Sequence, residues 1–370
     1  MIDIVICIAK FFLSLLYGVF KLRKTKENKV TFISRQLNTV SDDFFALQNA
    51  LLRQNQEMEF VVLCKKIGPG FGSKLLYAFH IIKQMWHIAN SSTCVIDGYI
   101  IPVSILNHKD SLLIIQLWHA VGTVKKFGYQ TLGKEGGRNE KLSKSLCMHK
   151  NYGIILSGSQ MMIDVFAEAF HAEKTNIMVC SPPKITYMQQ NYDSIQKNIY
   201  EQFPVLQNKK TVLYAPTYRQ NGVYHIQQLL EVFDFDQYNL IIKCHPARKL
   251  SVTDDRVITC PHISAFHLIS VADYVITDYS AISIEAAIFH KPVFIYAYDY
   301  EEYIHNVGLN IDIKNELSPY FYSDIETLLR ELEKPYSYEQ LDRYACTYYS
   351  HSAGENLDKL CCSIVSGGAL

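Results

Sequence analysis

The hydrophobic pattern of this chain alternates short apolar runs with longer amphipathic stretches. The longer stretches predict helices near residues 42–54 and 73–90 and another after Ser159. The short runs predict a first series of strands, at residues 29–34, 59–64, 93–96, 112–117 and 152–157. A second series is predicted at residues 211–214, 240–243, 257–259, 274–276 and 293–296. Such alternation is typical of parallel sheets with crossover helices, which indicates an α/β protein.

The polar, weakly patterned segment 189–208 separates the two series and predicts a linker. We therefore predict two Rossmann-like domains, at residues 28–195 and 196–370, whose parallel sheets face a central cleft. The chain of 370 residues is long enough for both. This division leaves the last helices free to pack back on the N-terminal domain. Ligands of open α/β sheets bind at the carboxyl ends of the strands, so the cleft is the predicted site.

The N-terminal segment, residues 1–27, predicts a membrane-associating element. Residues 2–20 are nearly all apolar, and the basic cluster behind them consists of Lys21, Arg23, Lys24 and Lys26. A cleaved signal peptide carries its positive residues in front of the apolar run instead. We favour an interfacial helix on the cytoplasmic leaflet, with its basic flank on anionic lipid. The alternatives are a bilayer-spanning helix, with the C-terminal bulk in the cytoplasm, and a core helix of the first domain.

Composition narrows the class of protein. An apolar fraction of 49% and a charged fraction of 19% are typical of a globular chain. The 36 basic residues equal the 36 acidic ones, so no net positive field argues for a nucleic-acid partner. The ten cysteines include no Cys-x-x-Cys pair and lie mostly in apolar runs. This usage indicates a reducing, cytosolic compartment.

The segment after the strand at residues 274–276 carries the first candidate chemistry. Thr277, Asp278 and Ser280 follow that strand and precede a predicted helix that reaches Phe289. A strand that ends in such residues and opens a helix predicts an anion site at the helix N-terminus. Asp278 and Ser280 are also ordinary N-cap residues of a helix that merely packs. The segment alone leaves both interpretations open.

A histidine and two lysines follow the strand at residues 112–117. His119 stands at the strand end, and Lys125 and Lys126 lie in the glycine-containing loop behind it. Together they can supply a base and two cations for a phosphate. The competing interpretation of His119 is a core histidine whose ring nitrogens are hydrogen-bonded within the protein.

Two strands of the second series end in similar clusters. Arg219 follows the strand at residues 211–214 and can make charge-assisted contacts to an anion. Lys243 and His245 follow the next strand, and Pro246 restricts His245 to an extended backbone. The alternative interpretation of Arg219 is a solvated arginine in a turn. Four such strand ends jointly predict a phosphate-binding cleft.

A metal site is not predicted. Asp234 and Asp236 superficially match the paired carboxylates of metal-dependent glycosyltransferases, but they lie in an aromatic segment that predicts a helix or loop. The chain also contains no Gly-rich Walker loop.

Taken together, the strand-end clusters resemble the CDP-glycerol glycerophosphotransferase family of bacterial teichoic acid and capsule enzymes. The segments that match are residues 116–119, 125–128, 214–219, 243–246, 272–273, 276–280, 291–292, 297–299 and 302–303. Their order and spacing hold from about residue 95 to residue 335, which makes the resemblance specific. In its length and its apolar N-terminus, the chain resembles the short teichoic acid primases more than the longer polymerases.

The resemblance implies a GT-B fold, with the acceptor mainly on the first domain and the cytidine nucleotide on the second. It implies that His119 is the catalytic base and that His245 assists at the donor diphosphate. The residues expected around the donor phosphates and nucleotide are Thr217, Arg219, Lys243, Thr277, Asp278, Ser280 and Glu285, with Glu285 on the ribose. Lys125 and Lys126 are expected to supply further cation contacts.

The implied activity is transfer of glycerol phosphate from CDP-glycerol to a hydroxyl of a prenyl-diphosphate-linked saccharide, with release of CMP, at the cytoplasmic face of the membrane. Such transfers depend on positioning and charge neutralisation, and no cofactor or metal is expected.

Departures from the family pattern leave the donor open. Ala281 replaces a second serine, with Ser283 as the next hydroxyl, and Val307 replaces an arginine. CDP-ribitol is therefore an alternative donor. Two hypotheses remain. One is a GT-B glycosyltransferase or sugar epimerase that uses a nucleotide sugar, and the other is a non-catalytic relative that binds a polymer or scaffolds a membrane complex.

Overall fold

The structure is a computed structural model that describes residues 2–134, 137–217, 219, 225–244, 254–350 and 352–366. Its strands form two six-stranded sheets in which every pair is parallel. The first sheet contains β1 (Lys26–Ser34), β2 (Glu59–Cys64), β3 (Ser91–Ile96), β4 (Leu113–Gln116), β5 (Ile154–Ser157) and β6 (Ile177–Val179). The second contains β7 (Lys210–Tyr214), β8 (Tyr238–Ile242), β9 (Val257–Ile258), β10 (Tyr274–Thr277), β11 (Val293–Tyr296) and β12 (Phe321–Tyr322). The two predicted strand series are confirmed, with one further strand at the end of each.

The helices predicted near residues 42–54 and 73–90, after Ser159 and up to Phe289 are observed, together with others that were not predicted. Those up to residue 202 are α1 (Ile2–Phe20), α2 (Asp42–Gln54), α3 (Phe71–Ile88), α4 (Ile101–Ile105), α5 (Glu140–Ser145), α6 (Ile163–Phe170) and α7 (Pro183–Gln202). The others are α8 (Ile226–Val232), α9 (Ala265–Leu268), α10 (Ile282–Ile288), α11 (Tyr300–Asn306), α12 (Ile313–Glu316), α13 (Ile325–Glu331), α14 (Tyr338–Tyr348) and α15 (Ala353–Ser366). In the described part of the chain, no helix combines the length and apolarity needed to cross a bilayer.

The strand orders place one switch point in each sheet. The first sheet has the order β2-β1-β3-β4-β5-β6, and the second has the order β12-β11-β10-β7-β8-β9. The order reverses between β1 and β3 in the first sheet and between β7 and β10 in the second. Ligands of doubly wound sheets bind in the crevices outside these points, at the carboxyl ends of the strands.

Helices cover both faces of the first sheet, as buried parallel strands require. On one face α2 and α15 bury Leu47, Leu357 and Leu360 against the sheet. On the other face α1 contributes Tyr17, which is buried and shares a 2.8 Å hydrogen bond with His108. Helix α15 therefore returns from the end of the chain to the first sheet, whereas α14 packs on α10 of the second half.

The segment predicted as a linker is largely helical. Helix α7 runs to Gln202 with a kink at Asn191, where φ is −125° and ψ is 19°. A short 3-10 helix, Pro204–Gln207, completes the path to β7. The domain boundaries at residues 195 and 196 fall within α7 and stay a prediction.

Candidate active site

An ion-pair network occupies the switch point of the second sheet. The Arg219 guanidinium donates to Asp278 at 2.8 Å and, through Nε, to Asp299 at 2.7 Å. Asp278 also accepts from the backbone N–H of Thr217 at 2.8 Å. Arg219 is only 6% exposed, and its guanidinium carbon lies 4.8 Å from the centre of the Tyr303 ring. The carboxylates of Asp278 and Asp299 and the ring of Tyr303 thus fix the guanidinium near the carboxyl ends of β7 and β10.

The turn after β10 is more internally bonded than the sequence predicts. Thr277 donates its hydroxyl to the carbonyl of Ala215 at 2.7 Å and is fully buried. Ser283 is also fully buried; its hydroxyl bonds the carbonyl of Ser280 at 2.8 Å and Tyr344 at 2.9 Å. It therefore does not replace the hydroxyl missing at Ala281. Ser280 stays half-buried at the start of α10, which is seven residues long.

His119 is oriented by a tight turn at the end of β4. Trp118 has a φ of 58°, an uncommon value for so large a side chain. The Gln116 amide holds that turn, because its oxygen accepts from the Trp118 N–H at 2.9 Å and its nitrogen donates to the Gly98 carbonyl at 3.1 Å. The Nδ1 atom of His119 lies 3.2 Å from the backbone carbonyl of Asp97. A carbonyl can only accept, so Nδ1 carries the proton and Nε2 is the basic atom of the neutral ring.

Behind His119 lies a cluster of buried charges. Lys184 donates to Glu285 at 2.7 Å and approaches the His119 carbonyl at 3.5 Å. Asp43 accepts from the Lys184 backbone N–H at 3.1 Å. Burial raises the pKa of Asp43 to about 6 and that of Asp97 to about 7. Burial alone would lower the pKa of Lys184, but Glu285 and Asp43 raise it above its usual value.

A backbone clasp joins the two halves beside His119. Lys126 N–H donates to the Gly308 carbonyl at 3.0 Å, and Asn310 N–H donates to the Val124 carbonyl at 2.7 Å. Gly308 has a φ of 82°, and a Cβ there would lie 3.0 Å from the Lys126 side chain. The Asn310 side chain also donates to the Lys125 carbonyl at 3.0 Å. Because of this clasp, the lysine loop of the first half lies against the second half.

Residues at the two switch points and at the clasp line an open cavity of about 420 Å³. Three of the predicted site residues line it, Lys125, Lys126 and Arg219. Burial lowers the pKa of Lys125, and Asp278 partly offsets that effect. The other lining residues are Gln36, Tyr99, Trp118, Phe127, Gly128, Thr131, Gly137, Arg138, His149, Asp299, Glu302, Tyr303, Asn306 and Val307.

The other predicted residues that the structure describes, His119 among them, do not line this cavity. Lys243 donates to the Cys260 carbonyl at 2.5 Å, at the end of β8, and burial lowers its pKa. Glu285 is held in the buried pair with Lys184, so binding of a ribose by its carboxylate requires that this pair open. The predicted residue His245 lies outside the described residues. The roles of all these residues stay predictions.

Metal ligation has little support in the described part of the chain. No group of three His, Cys, Asp or Glu side chains there is placed to hold a metal ion. The absence of a metal requirement nevertheless stays a prediction.

Several site residues were not predicted from the sequence. Asp97 directly follows β3, so the rule that selected His119 and Arg219 would have found it too. Lys184 follows no long strand and carries no motif. Arg138 and His149 lie in or after the polar loop between β4 and β5, where no pattern distinguishes them from solvated residues.

Comparison with solved structures defines the class of fold. The chain matches the structure of the wall teichoic acid polymerase TagF with a TM-score of 0.76, at 17% identity and over 98% of each chain. It is therefore an α/β protein with two parallel sheets arranged as in that structure.

Sequence comparison then gives the family. The family CDP-Glycerol:Poly(glycerophosphate) glycerophosphotransferase matches residues 15–366, and the chain belongs to that family of phosphotransferases. The resemblance noted from the strand-end motifs is thereby confirmed. A teichoic acid ribitol-phosphate primase of Bacillus spizizenii is 25% identical over 92% of this chain and 91% of its own. A teichoic acid glycerol-phosphate primase of Bacillus subtilis is 27% identical over 76% of this chain and 75% of its own.

Proposed function

We propose that the protein transfers a polyol phosphate, in the first place glycerol phosphate from CDP-glycerol, to a hydroxyl of a prenyl-diphosphate-linked saccharide in the synthesis of a teichoic acid or capsule-type polymer. The observation that carries the proposal is the cavity between the two switch points, lined by Lys125, Lys126 and Arg219, in a member of this family. Cations in a partly enclosed cavity favour a diphosphate and the charge that develops on it. The proposal includes a GT-B architecture, with donor and acceptor on opposite halves.

In the proposed reaction the acceptor hydroxyl oxygen attacks the phosphorus that carries glycerol. The bond from that phosphorus to the bridging oxygen breaks, CMP leaves with the electron pair, and a phosphodiester forms. The acceptor proton passes to Nε2 of His119, which is basic because Nδ1 donates to Asp97. Lys125, Lys126 and the half-buried Ser280 would hold the donor phosphates. We propose that these side chains and His245 act on the two substrates without a further group.

The donor can also be CDP-ribitol, and two observations favour this second candidate. A ribitol-phosphate primase matches nearly the whole chain. Val307, which stands where the family pattern has an arginine, lines the cavity beside Lys126. An apolar side chain at that wall changes the space and charge offered to the polyol of the donor.

We further propose that the protein is peripheral at the cytoplasmic face of the membrane and docks through α1 and α3. Exposed apolar residues of α1 recur every three or four positions, at Ile4, Ile8, Phe11, Leu15 and Val19, and Leu22 continues the spacing just after the helix. Helix α3 repeats that spacing with Phe71, Leu75, Phe79, Ile82 and Trp86. The two stripes adjoin where the Phe20 and Trp86 rings meet at 5.2 Å, and the Arg23 guanidinium lies 3.8 Å from the Trp86 ring centre. Apolar stripes with a basic border suit an anionic lipid surface.

The decisive experiment is a donor screen with purified protein and a synthetic prenyl-diphosphate disaccharide. We expect CMP release from CDP-glycerol or CDP-ribitol, and no release of UDP or UMP from a UDP-sugar. One added unit by product mass indicates a primase, and a ladder indicates a polymerase. His119→Ala is expected to lower kcat by about 10²–10⁴, whereas His262→Ala, an exposed histidine outside the cavity, serves as the control. Full turnover in His119→Ala would contradict its assignment as the base.

A further inference from the structure

Two arginines flank the ring of Tyr99 on the first-sheet side of the cavity; Tyr99 and Arg138 line the cavity, and Arg35 lies on the ring beside them. Arg35 follows β1 and Tyr99 follows β3, so both stand at the switch point of the first sheet. The guanidinium carbons of Arg35 and Arg138 lie 6.0 Å and 5.0 Å from the Tyr99 ring centre. Neither arginine has a carboxylate within 4.0 Å among the described residues. Two neighbouring cations without a counter-charge attract an anionic ligand.

A buried histidine points into the same side of the cavity. His149 lines the cavity although it is only 7% exposed. Its Nδ1 shares a 2.9 Å hydrogen bond with the Tyr152 hydroxyl, and its Nε2 hydrogen-bonds to no described residue. The edge that carries Nε2 faces Gly128 on the cavity wall, where a Cβ would lie 3.6 Å from Nε2. An imidazole nitrogen left without a protein partner there is available to a ligand hydroxyl.

Burial, followed by the charge of Arg138, lowers the pKa of His149 to about 3. The ring is therefore neutral at physiological pH and offers one hydrogen bond rather than a charge. Trp118 and Phe127 stack at 4.3 Å and line the cavity beside it. An aromatic wall, one neutral hydrogen-bonding group and a cationic rim suit a hydroxylated ligand that carries a phosphate.

We propose that Arg35, Arg138 and His149 form the acceptor subsite, in which the arginines bind a phosphate of the acceptor and His149 Nε2 hydrogen-bonds a neighbouring hydroxyl of its sugar or polyol. This inference rests on the proposed transfer and assigns the acceptor to the first-sheet side of the cavity. The Arg219 side differs, because that guanidinium is already paired with Asp278 and Asp299. The phosphate is either the diphosphate of the lipid-linked saccharide or a polyol phosphate already attached to it.

The test is a kinetic comparison of Arg138→Gln with the parent enzyme, with acceptor and donor varied separately. A charge-assisted hydrogen bond is worth about 1.5–3 kcal/mol, so the acceptor KM should rise roughly 10–100-fold while the donor KM stays within twofold. Arg343→Gln on α14, an exposed and ion-paired arginine, is the matched control and should change neither constant. An unchanged acceptor KM, or an equal rise in the donor KM, would overturn the assignment.

Two acceptors distinguish the sources of the phosphate. One is a short-chain lipid diphosphate disaccharide, and the other is the same molecule with one polyol phosphate unit. A loss of affinity for both assigns the arginines to the diphosphate, and a loss for the second alone assigns them to the polyol phosphate. Arg35→Gln should repeat the Arg138→Gln result. His149→Gln should raise the acceptor KM at unchanged donor KM, and the two arginine variants decide the matter if His149→Gln does not fold.

A binding measurement separates this inference from the proposed reaction. Calorimetry with the short-chain lipid diphosphate disaccharide needs no turnover and no CDP-polyol. Weaker binding to Arg138→Gln than to the parent supports the subsite even if no donor in the screen reacts. Equal dissociation constants would refute the subsite even if transfer proceeds as proposed.

Discussion

Lys184 donates to Glu285 over 2.7 Å, and about nine-tenths of each side chain is buried. The pair joins α7 to α10 of the second half, directly behind the turn that orients His119. A buried ion pair of this kind contributes little net stability compared with apolar residues, but removal of one partner leaves an uncompensated charge. The pair therefore connects the region of His119, the predicted base, with α10, the predicted donor-binding helix.

Glu285→Gln should destabilise the fold, because the Lys184 ammonium then lacks its buried carboxylate. The expected loss is about 3–5 kcal/mol in the free energy of unfolding, measured by denaturant titration. Glu339→Gln removes an exposed carboxylate from a helical pair with Arg343 and should cost less than about 1 kcal/mol. Lys184→Met combined with Glu285→Leu should recover much of the loss. A stable Glu285→Gln variant with a raised donor KM would instead favour the ribose contact implied by the family resemblance.

Arg219→Lys should also destabilise the protein, although the charge is kept. A lysine ammonium does not reproduce the forked contact by which the guanidinium bridges Asp278 and Asp299. Loss of one such partner contact from a buried network is expected to cost about 3 kcal/mol in unfolding free energy and to weaken donor binding. Arg256→Lys, at an exposed arginine paired with Asp254, is the matched control for both measurements. If donor binding falls while stability is unchanged, direct phosphate contact is the main role of Arg219.

The fold was largely predictable because most strands are long, apolar and bounded by polar residues. Strand β10, predicted at residues 274–276, is observed at Tyr274–Thr277. The missed strands β6 and β12 are three and two residues long. Runs that short show little hydrophobic periodicity, and pairing with neighbouring strands makes them part of a sheet; β9, also two residues long, was nevertheless predicted.

The site was predictable only to the extent that polar residues follow strands. That rule selected Arg219 and His119, which lie at the carboxyl ends of their sheets as expected. It could not show that Asp299, 80 residues from Arg219, completes the network, or that Lys184 engages Glu285. Such pairings depend on which loops the two halves bring together, and the sequence carries no local signal for them.

Asp97 predicts a characteristic dependence of stability on pH. Its pKa rises from 3.8 to about 7, chiefly through burial, so the folded state holds the proton more tightly than the unfolded chain. The stability that this group contributes is complete below pH 3.8 and is lost as the pH rises through about 7. Asp97→Asn cannot ionise and avoids this loss.

The difference in unfolding free energy between Asp97→Asn and the parent should therefore shift in favour of the variant by roughly 2–3 kcal/mol between pH 5 and pH 8. Denaturant titrations at several pH values measure this difference directly. Parallel pH profiles for the two proteins would show that the carboxyl does not titrate in this range. Asp43 is present in both proteins, so the comparison isolates Asp97.

The apolar stripes of α1 and α3 predict lipid binding that does not depend on the active site. Phe11 and Leu15 of α1 are 66% and 62% exposed, and burial of each in lipid is worth about 1.5–3 kcal/mol. Phe11→Ser with Leu15→Ser should therefore weaken binding to vesicles with anionic lipid by at least roughly 100-fold. Co-sedimentation measures the binding, and Leu142→Ser on α5, which removes an exposed leucine outside both stripes, is the control.

The basic flank should make this binding dependent on salt and on lipid charge. Lys21→Gln with Lys24→Gln is expected to weaken binding to anionic vesicles by about 2 kcal/mol at low salt and to leave binding to neutral vesicles unchanged. Turnover with a soluble, short-chain acceptor should stay the same in both sets of variants, because neither stripe lines the cavity. If the serine variants bind vesicles as tightly as the parent, the stripes do not form the docking surface. A loss of turnover on the soluble acceptor would show that α1 supports the fold of the first half instead, through the buried Tyr17.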